Sequence, residues 1–168
     1  MQWRTRLHML DIVELEVGDT SPDFECLITD GSKIKLSSII ENGKGVILYF
    51  YPRDDTPGCT IQACDFRDNF GKLDNTGWRV IGVSTDSSAS HVKFTNKYDL
   101  PFDLIVDEDS DLHKLYGTWR KKNMYGKEYM GCLRSTFVIS KDRKIISSMY
   151  GVGTKGHVEQ LMIDLGVE

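Results

Sequence analysis

The sequence predicts an α/β domain: a central mixed β-sheet flanked by helices on both faces and preceded by an N-terminal β-hairpin. Two observations carry that reading. Val46 to Tyr51 (VILYFY) and Arg79 to Ser84 (RVIGVS) are nearly unbroken apolar runs, the pattern of strands covered on both faces. Segments with helical start signals separate such runs, and strands alternating with helices build a layered sheet. A chain of 168 residues, 40% of them hydrophobic, has enough apolar side chains for one such core.

Taken in order, Phe24 to Ile28 and Lys33 to Leu36 flank Thr29-Asp30-Gly31-Ser32, which predicts a hairpin. VILYFY follows as a buried central strand. Thr56 and Pro57 then start a helix to Leu73, because threonine is a favoured N-cap and proline suits the first helical position. RVIGVS is the second buried strand, followed by a helix from Ser87 to Tyr98, a short strand from Phe102 to Val106 and a helix from Ser110 to Tyr116. Between Gly117 and Gly131, Arg120, Lys121 and Lys122 read as a solvated loop. Trp119 and Tyr125 there either pack the loop or border the site or a partner surface. Ser135 to Ile139 and Lys144 to Tyr150 form a strand pair around the Asp142-Arg143 turn, and His157 to Leu165 is a closing amphipathic helix. This order matches a thioredoxin-like fold. Residues 15–168 are read as one domain and residues 1–14 as a flexible extension, with Met9 an alternative start.

Composition narrows the function. A net charge of −4 argues against a nucleic-acid surface. No apolar run reaches the roughly 18 residues of a membrane span, and MQWRTRLHML lacks the apolar stretch of a signal peptide, so the expected compartment is the cytoplasm. Cys26, Cys59, Cys64 and Cys132 are too few for a disulfide scaffold; in a reducing compartment such cysteines are catalytic or metal-binding. His8, His91, His113 and His157 stand apart in sequence, and Cys59 to Cys64 is wider than a zinc knuckle, so no metal is expected. Cys26, in a hairpin strand, reads as structural.

The chemistry concentrates in Tyr49 to Asp68, YFYPRDDTPGCTIQACDFRD. A helix begun at Pro57 puts Gly58 at its second position and Cys59 at its third. Free backbone N–H groups and partial positive charge there favour a thiolate, the attacking form of sulfur. Gly58 lets a small substrate approach the backbone. Cys64 lies five residues on, which in an ideal helix means about 7.5 Å of rise, about 140° of rotation and Cα atoms about 8–9 Å apart. A disulfide wants Cα atoms about 4.4–6.8 Å apart, so a Cys59–Cys64 bond requires local unwinding.

Pro52-Arg-Asp-Asp-Thr56-Pro-Gly-Cys59 resembles the P-x-x-x-T-x-x-C signature of the peroxiredoxins, and Thr60-Ile-Gln-Ala-Cys64-Asp-Phe-Arg-Asp resembles their bacterioferritin-comigratory, or Q-type, subgroup. VIGVSTD at Val80 to Asp86, LIVDEDSDLHKLYG at Leu104 to Gly117 and Arg134-Ser-Thr-Phe-Val extend the resemblance from about Gly18 onward. It implies a monomeric thiol peroxidase without metal, haem or flavin, acting on hydrogen peroxide and organic hydroperoxides. Cys59 would be the peroxidatic thiol and Cys64 the resolving one. Thr56 would hydrogen-bond the peroxide, Pro52 would shield the pocket and Arg134 would be the cationic partner of the thiolate. Thioredoxin or a similar dithiol would reduce the disulfide. Cys132, two residues before Arg134, stays open as a pocket-lining residue, an alternative resolving thiol or a partly buried structural cysteine. Thiol–disulfide exchange and a non-catalytic redox sensor or holdase are the competing functions. The first would favour a C-x-x-C pair, which this chain lacks in this motif; nothing specific marks a binding surface for the second.

Overall fold

A computed structural model describes residues 12–168. The hairpin of β1 (Glu25–Leu27) and β2 (Lys33–Lys35) pairs Glu25 with Lys35 and leads into a single turn, α1 (Leu36–Ile39). β3 (Gly45–Phe50) connects through α2 (Pro57–Asp68) and α3 (Phe70–Asn75) to β4 (Trp78–Ser84), then through α4 (Ser88–Tyr98) to β5 (Asp103–Val106). α5 (Asp111–Leu115), a second hairpin of β6 (Trp119–Met124) and β7 (Lys127–Cys132), β8 (Ser135–Ser140), β9 (Ile145–Tyr150) and α6 (His157–Leu165) complete the chain.

The central sheet runs β5-β4-β3-β8-β9, parallel from β3 to β5 and antiparallel at β3–β8 and β8–β9. This is the mixed sheet expected. Side chains alternate across a strand, so β3 feeds two cores. Val46, Leu48 and Phe50 pack with Ile81, Val83, Ile105 and Phe137 on one face, beneath α1, α5 and the first hairpin. Ile47 and Tyr49 pack with Val80, Leu104 and Val138 on the other, beneath Ala63, Phe66, Leu73, Phe94 and Leu161 of the remaining helices. Double-sided burial is why β3 reads as a continuous apolar run.

Two expected elements differ. The helix expected from Thr56 to Leu73 is divided at Asn69, which leaves helical geometry at φ −106°, ψ 6°. Its side-chain amide donates to the Asp65 carbonyl at 2.8 Å, and an asparagine that bonds its own turn competes with helix continuation. The expected loop with Arg120, Lys121 and Lys122 is instead strand β6. Tyr125 and Gly126, at φ 53° and 80°, form its tight hairpin turn. Most side chains of this hairpin face solvent, so no apolar alternation announces it. Arg120 is not simply solvated: it bonds Glu14 at 2.7 Å and lies 5.2 Å from the Tyr150 ring centre. Of the extension expected over 1–14, residues 1–11 lie outside the described residues.

Gly45 enters β3 at φ +150°, where an added Cβ would run into the Ile139 carbonyl of the neighbouring strand. The atoms it would meet are backbone of Ile139 and Ser140, so no flexible group can yield. Gly45→Ala is expected to cost about 3 kcal/mol or more, whereas Gly71→Ala, in open space on α3, should gain about 0.4–1 kcal/mol. Urea unfolding midpoints of the two variants check both signs.

Candidate active site

α2 starts where β3 leaves the sheet. Thr56 (φ −99°, ψ 155°) is extended and Pro57 occupies the first turn, as expected. Thr56 occupies the N-cap position, yet its side chain caps no helical N–H; the hydroxyl donates to the Arg53 carbonyl at 3.0 Å. The cap is therefore backbone only, with the Thr60 N–H closing on the Thr56 carbonyl at 2.8 Å. Gly58 and Cys59 precede that first closed bond, so the macrodipole end of the helix surrounds the sulfur.

Cys59 is 2% exposed. Arg134 reaches it from the short link between β7 and β8: Nη2 donates to Sγ at 3.3 Å while Nη1 donates to Oε1 of Gln62 at 2.7 Å. The Arg134 carbonyl accepts the N–H groups of Gly151 and Val152, both at 2.9 Å, which fixes the backbone from which the side chain projects. Gly58 must be small for this: a Cβ there would stand 3.1 Å from the Thr154 methyl and 3.4 Å from Nη2 of Arg134. His157 bonds Thr136 at 2.9 Å, and burial, with the charge of Arg134, lowers its pKa below 6.5. The charge of Arg134 thus disfavours a second cation at His157.

Cys59 and Arg134 meet at the start of α2, and Thr56 and Pro52, both half-buried, lie in the stretch of chain that leads into it. Cys64 does not share their face. It is half-buried farther along the same unbroken helix, and its pKa is raised by burial, with Asp68 and Asp65 adding to the rise against Arg67. Cys132 belongs to the core cluster of Phe137 and Ile139, and burial pushes its thiol up to about 12. Cys26 packs against the same cluster, also at about 12 through burial and the charge of Asp107. Sequence reasoning missed Gln62; its signal was the spacing of three from Cys59, which places both on one helix face. A surface hollow lined by Asn42, Trp78, Pro101 and Phe102 lies at the other ends of the strands and holds none of these residues.

The arrangement is a buried thiol at a helix N-terminus beside a guanidinium fork, the kind of setting in which sulfur acts as a nucleophile. Residues 17–148 match the AhpC/TSA family. Peroxiredoxin Bcp of Bacillus subtilis is 44% identical over 151 residues, covering 88% of this chain and 93% of that protein. Peroxiredoxin Bcp of Escherichia coli is 40% identical over 131 residues, covering 78% and 83%. Among solved structures, the bacterioferritin comigratory protein of Xanthomonas campestris matches with a TM-score of 0.81 at 32% identity, covering 93% of this chain and 98% of that one. A mutant PrxQ of Xylella fastidiosa matches at 0.85 and 30%, covering 92% and 97%. The thioredoxin-like fold read from the sequence is the fold these relatives share.

Arg134→Lys keeps the charge but cannot span Sγ and Gln62 together. Alkylation of Cys59 by iodoacetamide should slow about tenfold in this variant, and less in Gln62→Ala, where only the brace is lost. Peptide mapping reads Cys59 against Cys64 in the same sample; an unchanged Cys59 rate in Arg134→Lys would remove the fork from the account.

Proposed function

The chain belongs to the AhpC/TSA family and is a thiol peroxidase, and on that premise we propose that Cys59 is the residue its peroxide oxidises. The observation that carries the assignment is the 3.3 Å contact of Arg134 with a sulfur seated in the first turn of α2. The Cys59 thiolate attacks one peroxide oxygen, the O–O bond breaks, and sulfur loses two electrons to become a sulfenic acid. The other oxygen leaves as alkoxide or hydroxide and takes up a proton. Arg134 is placed to stabilise both the attacking thiolate and the charge that grows on the leaving oxygen.

Thr56 has a definite part. Its proton is committed to the Arg53 carbonyl, so its oxygen offers lone pairs and would accept the O–H of a hydroperoxide. Pro52 has no N–H to offer water beside that loop, which suits the shielding role implied by the family pattern. The Xanthomonas relative is described by its alkyl peroxide reduction activity, which supports organic hydroperoxides alongside hydrogen peroxide as substrates here.

Cys64 then attacks the Cys59 sulfenic sulfur, water departs and an intramolecular disulfide forms. α2 is continuous through both cysteines, so this step needs the first turns to open. Thioredoxin or a similar dithiol restores both thiols and is itself oxidised to a disulfide. The working form is read as a cytoplasmic monomer, in keeping with the subgroup resemblance. Cys132 is a poorer partner, since removing a proton from that buried thiol is harder than from Cys64, which is far less buried.

Intact mass after one equivalent of peroxide should fall by about two hydrogens in the wild type and stay unchanged in Cys59→Ser. Cys64→Ser should stop at a sulfenic or over-oxidised adduct, while Cys132→Ser should behave as wild type. Peroxidase turnover surviving in Cys59→Ser would sink the assignment, and a peptide map pairing Cys59 with Cys132 would replace the resolving thiol.

A further inference from the structure

The loop that delivers Thr56 is fastened by a buried acid–base pair outside the peroxide chemistry. Asp54 lies in the link from β3 to α2, with its side chain 3% exposed. Three groups converge on its carboxyl: the Tyr51 hydroxyl at 2.6 Å, the Ser90 hydroxyl at 2.8 Å and Nδ1 of His91 at 2.6 Å. The Asp54 N–H donates to Asp86 at 2.7 Å, and the Ser84 hydroxyl donates to the same Asp86 oxygen at 2.8 Å. His91, on α4, is fully buried, and its Nε2 meets the Ile105 carbonyl at 2.8 Å. The next residue, Asp55, holds φ +55°. A non-glycine residue there is strained, so the loop keeps this shape only because something holds it.

The geometry fixes where protons sit. A carbonyl only accepts, so Nε2 of His91 carries hydrogen, and Nδ1 of a neutral ring would then be bare. A bare nitrogen and an ionised carboxylate are both acceptors and would repel at 2.6 Å; one proton must lie between them. The charges facing the ring are those of Asp54 and Asp86. Tyr51 is held neutral by burial, and Asp55 points outward to Lys97 and Tyr98 at 2.8 Å each. Burial alone would lower the pKa of His91, but the hydrogen bond and charge of Asp54, with the Ile105 carbonyl, outweigh it and raise it above 6.5. A raised folded-state value stabilises the docked loop fully below the ordinary histidine pKa, and that support is lost as pH rises through the folded value.

We propose that His91 and Asp54 are positioning residues for the reacting thiol: one shared, buried proton locks the loop from Pro52 to Thr56 onto α4 and so keeps Cys59 beneath Arg134. The proposal rests on Cys59 being that thiol. Losing the proton leaves the ring one N–H for two acceptors, Asp54 and the Ile105 carbonyl, so one contact becomes repulsive, the clamp on α4 loosens and the reaction with peroxide slows, although rising pH in general favours thiolates.

The test is stopped-flow reaction of the full chain with hydrogen peroxide from about pH 7 to about pH 10, beside NMR titration of the His91 ring. In the wild type the rate should fall on the alkaline side, with the midpoint at which the ring loses its proton. Asp54→Asn presents an amide N–H to the bare Nδ1 of a neutral ring, so no shared proton is needed and the alkaline fall should disappear. His91→Ala should react about tenfold more slowly or worse across the range. A His91 ring already neutral at pH 7, or an alkaline fall unchanged in Asp54→Asn, overturns the proposal even where His91→Ala does not fold. Cys59→Ser run alongside keeps the two assignments apart. Turnover surviving there removes Cys59 as the reacting thiol, whereas an inactive Cys59→Ser with the alkaline fall intact in Asp54→Asn removes the clamp alone.

Discussion

The site depends on holding the first turn of α2 beneath a single guanidinium. Arg134 touches Cys59 at 3.3 Å and Gln62 at 2.7 Å, two residues one turn apart. It therefore senses the orientation of the helix as well as the sulfur, because a turn that rotates or unravels loses both bonds together. The sheet makes the meeting possible. β3 and β8 pair antiparallel with Phe50 opposite Ser135, so the end of β3, which leads into the loop and α2, lies level with the residue after Arg134. An error of register would carry the guanidinium away from the thiol it serves.

The two ends of that loop are held by chemically different means. On the Arg134 side the contacts are charge-assisted and aimed at a sulfur whose oxidation would change them. On the α4 side they are buried hydrogen bonds from Tyr51, Ser90 and His91 to Asp54, which the oxidation of sulfur does not touch. Were Cys59 oxidised as proposed, its turn could release without disturbing the hydrogen bonds to Asp54.

Much of this was legible from residue types. β3 and β4 showed as apolar runs because they are buried on two faces, and Thr56-Pro57 marked the helix start because proline is excluded from helix interiors. Cys59 was identifiable from its place in that start. Arg134 was legible only through the family resemblance: a basic residue before an apolar strand says nothing by itself about what it faces, and the β3–β8 register is what brings it to the thiol. His91 and Asp54 were invisible for the same reason, being 37 residues apart and joined through packing of α4. The hairpin of β6 and β7 escaped because exposed strands need no hydrophobic alternation, and Asn69 looked helical because its competing side-chain bond depends on geometry. Long-range pairing and side-chain competition are what residue patterns do not encode.

How far α2 can open is set by what each turn buries. Pro57 is exposed, Gly58 has no side chain, and Thr60 and Ile61 are only half-buried, so freeing them exposes little apolar surface. Ala63 and Phe66 are wholly buried, with the Phe66 ring stacked 4.6 Å from Tyr49 and edge-on to Phe102. Pulling Phe66 into water would cost about 1.5–3 kcal/mol for the side chain alone. Unwinding that begins at Pro57 therefore meets its first large barrier just beyond Cys64. The opening that the proposed Cys59–Cys64 bond requires would end there, leaving the remainder of the helix docked on the sheet as an anchor for a return of Cys59 to Arg134.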